Sequence, residues 1–435
     1  MTKVVILGLG AAGFGAALAA KKENRNSEIT IIDEKNFDLM HQCGLPWVLN
    51  DEIKAEGLKH SISPEKMGMK LISNTQIEKI DFDKKMINEK ISYDKLIITT
   101  GSKPFIPQIK TTNEIYTVHN IKDAEKIKKQ IKKLLNSKNS KGLENSKNFQ
   151  SGEKAIIIGA GAIGLETAVA LKKKGMDVKV IDMLPSTFPK AIDKDISEIL
   201  EEKLKEKGIK LELGKKVDEI KEKALVIMAT GVKPNIDFLE GSKIKKDKFG
   251  IEVNEKMETS VKDVYAAGDC CAVPSLINKE KWTSILANNA YREGVIAGTN
   301  AAGGDKRFNG ILGTFVSLID NIEVAATGFN SFFADFYKIK TIVGKAKGKS
   351  KPEWFEQSGE LTVKIIADEK GKIIGGQAIG EGAKERVNII ATAIKGNLAL
   401  KELSELELAY CPAVSDYYDV LVMAAEIGLK KAHST

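Results

Sequence analysis

The stretch VVILGLGAAG, residues 4–13, joins an apolar run to a G-x-G-x-x-G turn, and AIIIGAGAIG, residues 155–164, repeats the arrangement. Each apolar run predicts a buried strand, and the residues after each turn predict a helix. Glycines at these positions let the backbone approach a pyrophosphate, which the N–H groups of the helix N-terminus then bind. Two such turns in one chain predict two dinucleotide-binding units.

An acidic residue ends the second predicted strand of each unit. Asp33 lies 20 residues after Gly13, the spacing expected for a carboxylate that binds a ribose, and Asp182 takes the same place in the second unit. Met183 and Leu184, rather than arginines, follow Asp182. Because a carboxylate repels a 2′-phosphate, the sequence predicts NADH rather than NADPH at the second turn.

Segments further along the chain support two related units and a third domain of another type. Residues 93–104 and 225–234 each predict a buried strand that ends in a Gly turn and a Pro. Residues 361–378 predict a hairpin, and residues 383–395 predict an amphipathic helix. Residues 134–153, which are rich in Asn, Ser, Lys and Gly, predict an exposed, mobile loop.

Length and composition limit the class of protein. A chain of 435 residues with 43% hydrophobic residues is expected to form two or three globular domains. No apolar run is long enough for a membrane span, and residues 1–3 lead directly into the first strand, so we expect a cytoplasmic protein without a signal peptide. The net charge of +8 comes without a pattern typical of nucleic-acid binding, and no Cys or His spacing predicts a metal site.

The order of these motifs resembles that of the flavoprotein pyridine nucleotide–disulfide oxidoreductases over about residues 3–430. Within that family the chain is similar to the single-cysteine branch, which comprises coenzyme A-disulfide reductases, NADH oxidases and NADH peroxidases. The motifs that carry the resemblance are the first Gly turn with Asp33, CGLP at 43–46, TGS at 100–102, the second Gly turn with Glu166, ATG at 229–231 and AGD at 267–269.

The resemblance implies an α/β fold with two Rossmann-like dinucleotide-binding domains and a C-terminal α+β dimerisation domain. Residues 1–115 and 232–310 would form a discontinuous FAD-binding domain, residues 116–231 the NAD(H)-binding domain, and residues 311–435 the dimerisation domain. In this family the last domain forms a homodimer and closes the active site of the opposite subunit.

The resemblance also implies which residues bind the two cofactors, FAD and NADH. The residues expected at the FAD are Gly8, Gly10, Gly13, Asp33, Thr100, Gly101, Asp269 and Ala287. The residues expected at the NADH are Gly159, Gly161, Gly164, Glu166, Asp182 and Gly231, with Glu166 near the nicotinamide.

Cys43 is the candidate redox centre. It precedes residues 44–49, which start like a helix, and a helix N-terminus favours the thiolate that attacks sulfur. A buried structural cysteine is the alternative on position alone, and the surrounding flavin motifs disfavour it. No second cysteine lies a few residues away and no C-terminal His-Glu pair is present, which argues against dithiol enzymes such as glutathione and lipoamide reductases. The adjacent Cys270 and Cys271 are expected to pack behind Asp269.

Three further residues are candidates at the sulfur centre. His41 either stabilises the thiolate and relays protons, or is a loop histidine with a solvent or backbone partner. Tyr410 is a candidate proton donor or thiol-orienting group, since residues 410–412 match a Tyr-Ala-Pro stretch that approaches the other subunit's active site in relatives. Cys411 is either a resolving thiol across the dimer or a passive small residue.

The resemblance implies an enzyme that passes hydride from NADH via the flavin to Cys43, which reduces a low-molecular-weight disulfide or persulfide of the coenzyme A disulfide type. The alternative is an NADH oxidase that reduces dioxygen to water or hydrogen peroxide. Ala11 stands where peroxidases of the family carry a histidine, which disfavours a peroxidase. Residues 350–355 read SKPEWF where coenzyme A-disulfide reductases carry Tyr-Tyr-Pro-Gly, so coenzyme A recognition stays open. Cys43 argues against an electron-transfer module for a small redox protein and against a non-catalytic NADH-binding scaffold.

Overall fold

The computed structural model describes residues 1–36, 39–136, 152–283 and 285–433. The predicted mobile loop falls for the most part outside these residues. The chain divides into two compact units, of which the first comprises Met1–Leu45, Ile53–Phe105 and Val232–Ile311 and the second comprises Pro46–Glu52, Ile106–Gly231 and Leu312–Thr435. Because the C-terminal segment is grouped with the second nucleotide-binding segment, the boundaries of three separate domains stay a prediction.

The first unit is built on a five-stranded parallel sheet, and the strand of the first Gly turn is its middle strand. The strands, in sheet order, are Val264–Ala266, Lys95–Ile98, Lys3–Leu7, Glu28–Ile32 and Lys70–Ile72. Since the strands are parallel, their carboxyl ends form one edge of the sheet, where doubly wound folds bind ligands. The Gly turn, Asp33 and Thr100 all follow strands at this edge.

Two helices of the first unit, Ala11–Glu23 and Ala287–Ala301, pack closely against each other. A Cβ at Gly294 would overlap the carbonyl oxygen of Ala12, so glycine lets the two backbones touch. The helix of the first Gly turn is thereby held against a segment far away in the sequence.

The first unit also contains short strands and 3-10 helices. The short strands are Leu39–Met40, Lys59–His60, Ile80–Asp81, Met86–Ile87, Ile91–Ser92, Ser102–Pro104, Val232–Pro234, Lys246–Asp247, Gly250–Glu252, Cys271–Pro274 and Lys281–Trp282. The 3-10 helices are Gln42–Gly44, Ala55–Leu58, Pro64–Met67 and Asp237–Leu239.

The second unit contains another five-stranded parallel sheet, as the repeated motif predicts. Its strands, in sheet order, are Ile115–Thr117, Leu225–Met228, Lys154–Ile158, Asp177–Asp182 and Lys210–Leu213. The helices of this part are Ile121–Asn136, Ala162–Lys173 and Lys194–Glu206, with the short strands Lys110–Thr111 and Glu219–Ile220. The middle strand again carries the Gly turn, so the two sheets share one topology around their turns.

A five-stranded antiparallel sheet forms the C-terminal part of the second unit. Its strands, in sheet order, are Phe315–Ile319, Ile322–Gly328, Ile373–Gly380, Glu360–Asp368 and Thr341–Lys349. The helices are Ser331–Phe336, Ala383–Lys395, Leu400–Ser404 and Val420–Ala432. The predicted hairpin and amphipathic helix are therefore confirmed, and the change from parallel to antiparallel pairing shows a different α+β architecture.

An ion-pair network around the buried Lys364 joins the C-terminal sheet to the helix Lys194–Glu206 within the second unit. The ammonium group of Lys364 lies 2.8 Å from a carboxylate oxygen of Asp193 and 2.8 Å from one of Asp195. Burial of a charge is costly unless it is paired, and here one buried cation is shared by two carboxylates.

Among the residues described, no helix has the length and apolar content that a bilayer crossing needs.

Candidate functional site

The first Gly turn has the shape of a phosphate-binding cradle. Gly8 has φ +99°, and a Cβ there would press on the carbonyl oxygen of Thr99. A Cβ at Gly13 would overlap the carbonyl oxygen of Gly8. A Cβ at Gly10, by contrast, would meet no protein atom within 4 Å. The protein itself thus requires glycine at two of the three positions, and the third leaves open space in front of the helix N-terminus, which fits a pyrophosphate.

Asp33 stabilises this turn through hydrogen bonds. Its buried carboxylate accepts hydrogen bonds from the backbone N–H of Leu9 and, at 2.7 Å, from the backbone N–H of Lys35. The ammonium group of Lys35 also lies 2.6 Å from Asp33 Oδ2. Asp33, the residue predicted to bind a ribose, is therefore held at the edge of the turn, and the ammonium group of Lys35 offsets its charge.

Thr100, Gly101 and Asp269 lie close together at the same edge. Thr100 Oγ1 donates to the carbonyl oxygen of Asn235 at 2.8 Å, and Gly101 adopts φ +67°. Ser102 Oγ donates to Asp269 Oδ2 at 2.8 Å. Burial raises the pKa of Asp269, and the hydrogen bond from Ser102 opposes this effect. The structure brings these predicted cofactor residues into one site of the first unit.

The buried acid Glu293 stands beside Asp269 and is absent from the sequence prediction. It lies on the helix that begins at the predicted residue Ala287, and Glu293 Oε2 accepts the backbone N–H of Gly268 at 2.8 Å. Burial is the main cause that raises its pKa to about 7, and the negative charge of Asp269 adds to it. Cys271 Sγ lies 3.7 Å from the same oxygen. No local pattern distinguishes Glu293 from a surface glutamate on a helix.

Cys270 and Cys271 are buried, as predicted. Cys270 Sγ contacts the carbonyl oxygens of Ile98 and Ala267 at 3.4 Å each, so it packs behind the Asp269 segment. Neither thiol is exposed to a substrate. The exposed cysteines are Cys43 and Cys411.

The second Gly turn repeats the geometry of the first. Gly159 has φ +114°, and a Cβ there would overlap the carbonyl oxygen of Ala229. A Cβ at Gly164 would overlap the carbonyl oxygen of Gly159, whereas a Cβ at Gly161 would meet nothing within 4 Å. The open position is again the middle glycine, so a second dinucleotide fits here.

Asp182 and Gly231 flank this second turn. Asp182 Oδ2 accepts the N–H of Ala160 at 2.7 Å, and Asp182 Oδ1 accepts the N–H of Leu184 at 2.8 Å. Gly231 has φ +97° and leaves open space where a Cβ would stand. Met183 is exposed next to the carboxylate. Asp182 differs from Asp33 because no lysine pairs with it in the described part of the second unit.

Glu166 is half-buried on the helix Ala162–Lys173. Ser317 Oγ donates to Glu166 Oε1 at 2.6 Å. Burial is the larger influence on this carboxyl and raises its pKa to about 7, while the hydrogen bond from Ser317 lowers it. The contact to Ser317 is one that the sequence did not predict.

Cys43 lies in the 3-10 helix Gln42–Gly44, directly before the helix Leu45–Leu49. The side chain is exposed, which disfavours the alternative of a buried structural cysteine. The predicted helix is only five residues long, so its dipole contributes little to the thiolate. A Cβ at Gly44 would overlap the side chain of Leu58, so glycine allows this turn to pack closely against Leu58.

A second histidine lies near His41. Leu39–Met40 pairs with Lys59–His60 in a short antiparallel ladder, and the rings of His41 and His60 meet edge to face with centroids 6.1 Å apart. Both histidines are exposed. The sequence prediction missed His60 because two-residue strands leave no periodic signal.

Tyr410 and Cys411 lie in an exposed loop of the second unit. The ring of Tyr410 packs edge to face against Tyr417, with centroids 6.3 Å apart. Ser415 Oγ accepts a hydrogen bond from the backbone N–H of Cys411 at 3.2 Å.

Across the described residues, no group of three or more His, Cys, Asp or Glu side chains could hold a metal ion.

Comparison with known proteins agrees with this geometry. Residues 2–294 match the pyridine nucleotide-disulphide oxidoreductase family, and residues 316–421 match its dimerisation domain. An NADH oxidase of Methanocaldococcus jannaschii is 35% identical over an alignment of 461 residues that covers 99% of each chain. The CoA-dependent NAD(P)H sulfur oxidoreductase of Pyrococcus furiosus is 29% identical, with 98% of each chain covered.

A solved structure supports the same relationship. The NAD-dependent persulfide reductase from A. fulgidus superposes with a TM-score of 0.91 at 26% identity, covering 99% of this chain and 84% of that one. The whole length of the chain is therefore accounted for by one set of relatives. The chain belongs to the pyridine nucleotide-disulphide oxidoreductase family, a family of oxidoreductases that bind flavin and NAD(P)H.

Proposed function

We propose that this protein is an FAD-dependent, NADH-driven reductase of low-molecular-weight disulfides or persulfides, with Cys43 as its redox-active thiol. The observation that carries the proposal is the exposed Cys43, which follows a flavin-type Gly turn and has no second cysteine close to it in the sequence. A dithiol mechanism needs such a second cysteine. A single exposed thiol instead forms a mixed disulfide with its substrate.

The first unit would hold the FAD. The open space at Gly10 would take its pyrophosphate, and Asp33 and Asp269 would bind the ribose and ribityl hydroxyls. Gly8, Gly13, Thr100 and Gly101 shape the cradle, and Ala287 begins the helix beside it. Bound FAD would supply the two-electron chemistry that connects a nicotinamide to sulfur.

The second unit would hold NADH as the reductant. The open space at Gly161 suits the pyrophosphate, Gly159 and Gly164 fix the turn, and Gly231 leaves room nearby. Glu166 would lie beside the nicotinamide. NADH is preferred over NADPH because the Asp182 carboxylate repels a 2′-phosphate and no lysine in the described residues neutralises it.

The sulfur chemistry begins at the Cys43 thiolate. Its attack on a substrate disulfide forms a Cys43–substrate S–S bond, breaks the substrate S–S bond, and releases one thiolate, which takes up a proton. Two electrons from NADH return the mixed disulfide to the Cys43 thiolate and a second thiol. His41, whose ring contacts that of His60, would supply protons to the sulfur centre, and Tyr410 is the second proton-donor candidate.

A homodimer is part of the proposal. Tyr410, Val414 and Tyr417 are 53%, 68% and 81% exposed, and apolar side chains exposed together in one loop suit a surface covered by a second copy. The match of residues 316–421 to a dimerisation domain supports this role. In the dimer, Tyr410 would act at the Cys43 of the opposite subunit. A cytoplasmic location stays a prediction.

Two acceptors are supported by relatives. The names of the Pyrococcus furiosus and A. fulgidus proteins favour a coenzyme A-linked sulfur or persulfide acceptor. The Methanocaldococcus jannaschii relative is an NADH oxidase, so reduction of dioxygen is the second candidate function. We place sulfur reduction first because the exposed Cys43 suits attack on a substrate disulfide.

Anaerobic NADH consumption with coenzyme A disulfide tests the proposal. The FAD-loaded wild-type protein is expected to turn over, Cys43→Ser to lose at least about a hundredfold in rate, and the matched variant Cys411→Ser to stay active. Turnover that appears only when air is admitted would replace the sulfur function by the oxidase. Full activity of Cys43→Ser would remove Cys43 from the mechanism.

A further inference from the structure

A serine of the C-terminal sheet contacts the acid that faces the proposed nicotinamide site. Ser317 Oγ donates to Glu166 Oε1 at 2.6 Å. Ser317 is 5% exposed in the strand Phe315–Ile319, whereas its neighbours Val316 and Leu318 are 46% and 43% exposed. The alternation of the strand therefore aims the hydroxyl inward, onto the helix that carries Glu166.

The hydroxyl of Ser317 acts on Glu166 without help from a cation. In the described part of the chain, burial disfavours the charged form of Glu166, and the hydrogen bond from Ser317 is the influence that favours it. The strand Phe315–Ile319 has no titratable side chain. On the helix of Glu166, the titratable residues Lys172 and Lys173 stand at the opposite end.

In the described residues, the lysines of the neighbouring strands pair with other acids, and Lys179 pairs with Glu212 and Glu222. Lys154 begins the middle strand of the parallel sheet, and its ammonium group pairs with Glu222 at 2.7 Å. The carboxylate of Asp182, on the next strand, accepts hydrogen bonds from the N–H groups of Ala160 and Leu184. The charge and orientation of Glu166 thus depend on one neutral donor.

We propose that Ser317 is a positioning residue for the nicotinamide substrate, because its hydroxyl holds Glu166 Oε1 and leaves Oε2 available to the ligand. The inference rests on the proposed function, which puts Glu166 beside the nicotinamide. No hydrogen bond to Glu166 Oε2 is seen in the described residues, so this oxygen is available. The ring of NAD⁺ carries a positive charge that NADH lacks, and a carboxylate beside it stabilises NAD⁺.

The consequence is a link between two parts of the chain. Ser317 lies within residues 316–421, which match the dimerisation domain, whereas Glu166 lies within residues 2–294, which match the oxidoreductase domain. Binding of the nicotinamide would therefore depend on a strand whose family role is dimerisation.

Calorimetric titration of the FAD-loaded protein with NAD⁺ at several pH values tests the inference. For the wild type we expect affinity to fall as the pH drops through about 7, because Glu166 becomes protonated. Ser317→Ala should bind NAD⁺ about tenfold more weakly at pH 7, with its pH midpoint moved upward. Ser317→Thr, which keeps a hydroxyl, should restore binding, and Val316→Ala on the exposed face of the strand is the matched control.

A purely structural role for Ser317 predicts a different result. Ser317→Ala would then weaken NAD⁺ binding equally at all pH values, and an unmoved midpoint would overturn the inference. A double-mutant cycle with Glu166→Gln gives a second criterion. If Ser317 acts through Glu166, Ser317→Ala adds little to the loss caused by Glu166→Gln, whereas additive losses would also overturn it.

Oxidation of NADH by ferricyanide separates this inference from the sulfur function. Ser317→Ala should lower kcat more than it raises KM for NADH in this assay, because the positive charge that the Glu166 carboxylate stabilises develops only as NADH is oxidised. A wild-type protein that oxidises NADH with ferricyanide but reduces no disulfide would remove the sulfur function and leave the role of Ser317 standing. A wild type that reduces disulfides, together with unchanged NAD⁺ binding in Ser317→Ala, would remove the role of Ser317 alone.

Discussion

Replacing Glu293 by Gln is expected to change how the stability of the protein depends on pH. Glu293 is 1% exposed, and Oε2 accepts the N–H of Gly268 at 2.8 Å. Its other oxygen, Oε1, has no hydrogen-bond partner among the described residues. Burial, followed by the nearby charge of Asp269, raises the pKa from 4.5 to about 7. Gln has nearly the same shape and carries no titratable proton.

The magnitude follows from the two pKa values. Below about pH 4.5, Glu293 is protonated in both the folded and the unfolded chain. As the pH rises, the unfolded chain loses its proton first, so the free energy of unfolding falls until the pH passes about 7. The pKa difference is about 2.5, and one pKa unit corresponds to about 1.4 kcal/mol, so the loss amounts to about 3 kcal/mol.

Chemical unfolding of the FAD-loaded proteins between about pH 5 and 8 measures this loss. The stability of the wild type relative to Glu293→Gln should decrease by about 3 kcal/mol over this range. Glu369→Gln, a matched change at an exposed position in a hairpin turn, should follow the wild-type curve. Parallel curves for the wild type and Glu293→Gln would refute the reasoning, because they would mean that burial does not suppress ionisation of Glu293 in the folded protein.

Two further predictions concern the second turn. Gly161→Ala should fold normally, since its Cβ meets no protein atom within 4 Å, but it should bind NAD⁺ at least about tenfold more weakly, as measured by calorimetry. Gly159→Ala should instead lower the melting temperature, because its Cβ overlaps the carbonyl oxygen of Ala229. Normal NAD⁺ binding by Gly161→Ala would place the pyrophosphate elsewhere. Asp182→Asn should lower the ratio of kcat/KM for NADH to that for NADPH by about tenfold, and an unchanged ratio would mean that the charge of Asp182 does not select the cofactor.

Features that depend on local sterics could be predicted from the sequence. The Gly turns recur because a Cβ at Gly13 or Gly164 would overlap the backbone of its own turn, and this constraint lies within a few residues. Asp33 and Asp182 follow from the length of one strand–helix–strand unit. The apolar runs predicted the parallel strands, since both faces of such strands are buried.

Features that depend on distant packing could not be predicted in this way. Ser317 and Glu166 are 151 residues apart, and Gly268 and Glu293 are 25 residues apart, with no shared motif. The helix Leu45–Leu49 lies within residues 44–49, where the sequence predicts that a helix starts but not how long it is. A run this short contains little more than one helical turn, so periodicity cannot give its length.

The two acids whose pKa rises to about 7 share one physical arrangement. Glu166 and Glu293 each lie on a helix beside a dinucleotide-type turn, and each is held by a neutral donor, the hydroxyl of Ser317 or the N–H of Gly268. A paired lysine would have stabilised the charge and lowered the pKa; a neutral donor leaves the carboxyl balanced between its two forms near neutral pH. A ligand with a positive charge can then favour the ionised form. In the proposed function, the charge of Glu166 would respond to oxidation of the nicotinamide. For Glu293, which is buried, the same balance is expected to appear in the pH dependence of stability.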